Sequence, residues 1–118
     1  MQINTAKKVL KSWGHELWIV NNEKENYCGK ILYIKPACST SMHFHSNKHE
    51  AFYVLEGELE VETVDTDNAE KSSFFLKEGD SFVIDKLVPH SLKANGVPVK
   101  FIEISTFHED IDSYRVWK

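Results

Sequence analysis

Three of the six histidines fall within the ten residues Ser41-Met-His-Phe-His-Ser-Asn-Lys-His-Glu50. If the chain is extended there, His43 and His45 leave the same face and both imidazoles can reach one metal ion, while Phe44 points the other way. Glu50 opens the next apolar run and shares a face with Phe52 and Val54, which directs its carboxylate inward to the same point. His90, directly after Pro89, supplies a third imidazole. Three neutral nitrogens and one anionic oxygen suit a single divalent transition metal with coordination positions left open, and zinc, manganese, iron and nickel all accept that donor set. His49 precedes Glu50, so strand alternation sends it outward.

Short strands must position these groups. Residues 58–63 alternate glutamate with Leu59, Val61 and Thr63, the pattern of a strand with one wet face. Short runs rich in β-branched and aromatic residues at 15–20, 30–34, 51–55, 73–76, 81–84 and 99–105 read as further strands. Glycine-bearing turns at 56–58, 77–80 and 95–98 are expected to close hairpins, and the polar stretch 65–72 is the longest hairpin loop. A short helical turn is expected near 109–114, and no long amphipathic helix is present in the pattern. Many short antiparallel strands imply an all-β sandwich or barrel.

At 118 residues the chain has the size of one domain, and 27% charged with 42% hydrophobic residues is a folded, soluble composition. A net charge of −4, with acid spread along the chain, argues against nucleic acid or anionic lipid as partners. The longest apolar run is the five residues 51–55, too short for a signal peptide or a membrane span, so the cytoplasm is the expected compartment. Cys28 and Cys38 are expected to be reduced there.

The histidine spacing resembles the first motif of the cupin family. Ala37 stands in the place of that motif's glycine, His43 and His45 follow after five residues, Glu50 after four more and Gly57 after a further six. In the second motif Gly79 and His90 keep their spacing, while Asp85 and Leu87 replace a proline and a glycine and Asn95 arrives one position late. The resemblance covers about residues 30–105 and implies a single-domain cupin, a double-stranded β-helix or jelly-roll barrel with a metal in its mouth. The expected division is an N-terminal strand extension over 1–26, a barrel core over 27–107 and a tail over 108–118. In small cupins such an extension often packs across a second subunit. Together with the apolar residues of 6–20, Leu10, Leu17 and Ile19 among them, this implies a homodimer.

Ser12-Trp13-Gly14, the segment 27–36, Ser41–His45 and the tail 104–115 are also similar to the cupin domain of type II mannose-6-phosphate isomerases, although Tyr114 and Arg115 lack that family's intervening glycine. The resemblance implies a small, carbohydrate-derived substrate, with isomerisation of a sugar or sugar phosphate as the reaction. Two alternatives stand beside it: a metal-dependent dioxygenase on the same ligands, and a binding module without catalysis. Arg115, the one arginine among thirteen lysines, has the planar fork for a phosphate or carboxylate. Trp18 and Phe52 are candidate contacts to substrate, and Lys35, Tyr53 and His108 are candidate bases near the barrel mouth.

Overall fold

The computed structural model describes residues 1–116. Among them, regular structure consists of eleven strands and one short 3-10 turn. The strands are β1 (Lys7–Lys11), β2 (Gly14–Asn22), β3 (Tyr27–Ile34), β4 (His43–Phe44), β5 (Glu50–Glu56), β6 (Leu59–Val64), β7 (Lys71–Leu76), β8 (Ser81–Ile84), β9 (His90–Lys93), β10 (Val99–Ser105) and β11 (Tyr114–Arg115). They form a six-stranded sheet ordered β1-β2-β3-β10-β5-β8 and a five-stranded sheet ordered β11-β4-β9-β6-β7. All named pairings are antiparallel. The two sheets face each other as a jelly-roll barrel.

Strand alternation decides what fills the barrel. Leu32 and Ile34 on β3, Phe52 and Val54 on β5, Leu59 and Val61 on β6, and Val99 and Phe101 on β10 are each no more than 3% exposed. Together with Ile84, Leu92 and Ala94 they close one end of the barrel. The glutamates of β6 lie on its other face, as expected.

The three glycine turns differ from expectation. Those at 56–58, 77–80 and 95–98 are not hairpins, because each carries the chain from one sheet to the other. Turn chemistry specifies a positive φ, but the strand's partner is chosen by long-range burial of its apolar face. Gly57 shows the local demand: its φ is 83°, and a side chain there would run into the Pro98 carbonyl of the neighbouring crossing. The expected loop from residue 65 does form a hairpin, between β6 and β7. The helical turn expected at 109–114 is the 3-10 segment Asp110–Asp112, followed at once by β11. Strands β1, β9 and β11 lie outside the expected set: β1 is a lysine-rich edge, β9 (His-Ser-Leu-Lys) alternates in burial but carries no β-branched residue, and β11 is two residues long.

Candidate metal centre

The histidines come from one sheet and the carboxylate from the other. His43 on β4 pairs directly with His90 on β9, and His45 lies just past the end of β4. The ring centroids are 4.8 Å apart for His43 and His90, 5.0 Å for His43 and His45, and 5.8 Å for His45 and His90. One potential ligand atom from each lies within 4.8 Å of the others.

Backbone carbonyls set the tautomers. His43 Nδ1 lies 2.8 Å from Ser41 O, His45 Nδ1 2.8 Å from Asp112 O, and His90 Nδ1 2.9 Å from Val88 O. A carbonyl can only accept, so each Nδ1 carries the proton and each Nε2 lone pair is left for coordination. Burial, and then the neighbouring His90, push His43 down to about 4, and burial lowers His45 as well, so both rings are neutral at physiological pH. Neutral imidazoles are the form a metal takes.

Two strained residues hold the loops that carry these histidines. Ala37 has φ 60° and Leu87 has φ 70°, the left-handed conformation that glycine adopts without cost. Leu87 N–H donates to His45 O at 2.8 Å, tying the turn before His90 to the other histidine loop. The substitution at Leu87 therefore leaves the turn geometry in place.

Glu50, 4% exposed, reaches the cluster from β5. Its Oε2 is 3.2 Å from His90 Nε2 and its Oε1 is 3.4 Å from His45 Nε2. Oε2 is buried with no hydrogen-bond partner. Carboxylate and imidazole lone pairs thus face each other inside the protein, which is unfavourable unless a cation or a proton lies between them. A divalent metal fits this donor set.

An outer layer of charge holds Glu50 in place. Lys48 Nζ is 2.8 Å from Glu50 Oε1, 3.2 Å from Glu103 Oε2 and 3.0 Å from His108 Nδ1. Burial alone would lower the Lys48 ammonium, but Glu103 and Glu50 more than offset it and raise it. Burial would likewise raise the Glu50 carboxyl, yet the Lys48 ammonium beside it holds it below the usual carboxylate range. Glu103 goes the other way, with burial pushing its carboxyl up. His108 is pushed down to about 4 by burial and the Lys48 charge; it accepts from Lys48 and donates Nε2–H to Asp110 Oδ1 at 2.8 Å.

The Cupin_2 family model, described as a cupin domain, matches residues 30–105. The chain belongs to the cupin family. Solved structures with the same fold include the capsular polysaccharide assembling protein CapF from Staphylococcus aureus, at 15% identity and TM-score 0.86, over 98% of this chain and 34% of that one. Oxalate decarboxylase from Bacillus subtilis matches at 19% identity and TM-score 0.81, over 98% of this chain and 33% of that one. The formate complex of the Lactobacillus farciminis oxalate decarboxylase matches at 16% identity and TM-score 0.79, over 98% and 37%. The cupin thus spans about a third of the length of these structures. No curated protein matches it in sequence.

The histidine cluster opens into a cavity of about 610 Å³. Of the residues singled out in the sequence, His43, His45, Glu50, His90, Phe52, His108 and Arg115 line it. Lys35 and Tyr53 do not. Lys35 is exposed in the turn after β3, and Tyr53 points outward because its neighbours Phe52 and Val54 point in. Trp18 stands beside the cavity rather than in its lining, with its ring under Lys30 and its Nε1–H donating to Glu16 Oε1 at 2.8 Å. His49 faces solvent as expected, paired with Asp85 at 3.2 Å. Cys28 and Cys38 are free thiols. The described residues contain no helix long and apolar enough to cross a membrane.

Sequence reasoning missed Lys30, Lys48, Glu16, Glu103 and Asp112, all buried in the cupin. Lys30 and Glu103 carried a usable signal, because each sits at inward parity with apolar residues on its strand, Leu32 for one and Phe101 for the other. Asp112 carried none. Its carboxylate accepts the backbone N–H groups of Ser46, Asn47 and Lys48 and the Ser46 hydroxyl, so the tail clasps the loop between His45 and Glu50.

Proposed function

We propose that this cupin is a metal-dependent enzyme acting on a small, oxygen-rich substrate of carbohydrate type, with aldose–ketose isomerisation of a sugar or sugar phosphate as the reaction. The observation that carries the reading is the convergence of three Nε2 lone pairs with the orphaned Glu50 Oε2 on a polar cavity. In this reading His43, His45, His90 and Glu50 hold one divalent ion. When bound, the ion supplies Lewis-acid polarisation of a carbonyl and hydroxyl pair.

The rest falls to the chain's own groups. Lys48 keeps Glu50 oriented and ionised. Glu103 is the base that moves the proton between adjacent carbons. Its Oε2 is held by Lys48 while Oε1 has no partner among the described residues, and a carboxyl raised by burial is a better proton acceptor than an ordinary one. His108 has both ring nitrogens engaged and serves to brace Lys48. Arg115, opposite His43 in register, guards the mouth with a group suited to an anion. The exposed Leu10, Ile19 and Ile104 on the six-stranded sheet support a homodimer.

Elemental analysis of the purified protein, set against His45→Ala, tests the metal site. Near-stoichiometric metal lost in the variant supports it, and no metal after reconstitution overturns it. Exchange of the proton on carbon 2 of mannose 6-phosphate tests the reaction. Activity that survives Glu103→Gln removes Glu103 as the base, and no exchange by metal-loaded protein removes the isomerase reading.

A further inference from the structure

Two buried lysines line the cavity, and they differ in what they touch. Lys48 has an oxygen or nitrogen acceptor for each of its three donors. Lys30, with a side chain 2% exposed, has none. Its nearest carboxylate oxygen, Glu16 Oε1, is 3.7 Å away, beyond hydrogen-bonding distance, and already accepts the Trp18 indole N–H. Its other contact is the Trp18 ring, 4.2 Å from Nζ to centroid. Among the described residues Lys30 therefore donates no hydrogen bond. The ammonium thus has no protein acceptor within hydrogen-bonding distance among these residues, and the side chain that carries it lines the cavity.

Position and charge indicate what it awaits. Lys30 pairs with Glu103 across β3 and β10, and Glu103 pairs with Phe52 on β5. Lys30 thus sits two strands, roughly 10 Å, from the strand that carries Glu50. The buried charged groups lining the cavity are two ammoniums, Lys30 and Lys48, against three carboxylates, Glu16, Glu50 and Glu103. A divalent ion at the histidines turns that deficit of one charge into a surplus of one positive charge. The Trp18 ring lies against the ammonium, and both Lys30 and Glu16 line the cavity.

We propose that Lys30 anchors a negatively charged oxygen group, a phosphate or a carboxylate, of a small ligand whose other end reaches the histidine cluster. The inference rests on the metal-dependent reading of the cavity and adds to it the ligand's charge and its second point of attachment.

The test compares wild type, Lys30→Met and Lys30→Arg, with the metal-to-chain ratio measured in each before calorimetric titration with mannose 6-phosphate, mannose and citrate. Lys30 touches none of the histidines, so metal content is expected to stay unchanged. Lys30→Met is expected to weaken the anionic probe about 10- to 100-fold, the range for loss of charge-assisted hydrogen bonds. Lys30→Arg is expected to restore part of the loss, and mannose should bind weakly and equally to all three. Loss confined to mannose 6-phosphate identifies a phosphate site, and loss confined to citrate a carboxylate site. Equal affinity in wild type and a folded Lys30→Met, or no anion binding to wild type at millimolar concentration, overturns the anchor. If wild type takes no metal, the metal-dependent reading fails by itself, and the same comparison on the metal-free protein still decides Lys30.

Discussion

Along β3 the inward residues change from Cys28 and Lys30 to Leu32 and Ile34, and along β10 from Val99 and Phe101 to Glu103 and Ser105. On β5 the order is Glu50, then Phe52 and Val54. The strands are antiparallel, so these changes coincide in space and divide one barrel into an apolar half and a polar half. Ile34, Leu59, Val61, Val99 and Phe101 have no exposed surface. At the other end His90, Glu50, Lys48 and Lys30 are as deeply buried, at 1–4% exposure, with charges in place of methyl groups. Buried ion pairs seldom stabilise a fold relative to apolar packing, whereas apolar burial contributes roughly 25 cal/mol per Å². Folding free energy therefore resides mainly in the closed half. That lets the open half keep its lone pairs uncompensated and available to a metal or ligand.

The sharpest way to break this division is to cut each half separately. Phe101→Ala, in the closed half, is expected to lower stability by about 3–5 kcal/mol, read from urea unfolding, with the metal-to-chain ratio of the folded fraction unchanged. His90→Ala should do the reverse: metal affinity falls beyond the roughly 100-fold that loss of an outer hydrogen-bond partner costs, while the unfolding midpoint of the metal-free protein moves little. His49→Ala, on the surface, is its control and should change neither. Equal metal loss in His49→Ala and His90→Ala would mean that the ligand set is wrong. Loss of metal in folded Phe101→Ala would mean that the halves are not separable.

Smaller effects are expected where the tail and the turn before His90 meet the polar half. Asp112→Ala removes the clasp on residues 46–48 while the carbonyl partner of His45 remains. Metal affinity should fall by about 10- to 100-fold, measured by competition with a chromogenic chelator. Leu87→Gly relieves a left-handed backbone at a residue 56% exposed, so little packing is lost. Thermal unfolding should show a gain of about 1 kcal/mol. A loss there would show that Leu87 packing, and not backbone strain, governs that turn.

The polar half was only partly legible in advance. His43, His45, Glu50 and His90 show themselves by spacing, because alternation along an extended chain is a local property. Lys48 does not, since nothing near it in sequence reveals that Glu103 and His108 will arrive from more than fifty residues away. Lys35 and Tyr53 have the chemistry of a base, but turn position and strand parity put both outside the cavity. Arg115 and His108 could be placed near the mouth only once the tail paired with β4.

By itself the sequence determined the alternation of the strands, the positions of the turns, the set of histidines able to share one ion and the family to which they belong. These follow from side-chain parity and backbone φ, which neighbouring residues settle among themselves. Tertiary structure alone decided that the glycine turns at 56–58, 77–80 and 95–98 cross between sheets. It alone decided that Asp112 returns to clasp the histidine loop, and that one buried lysine is saturated while the other faces an open cavity. Those outcomes depend on which strand lies opposite which, and burial of the whole apolar face selects that partner at a range no local pattern encodes.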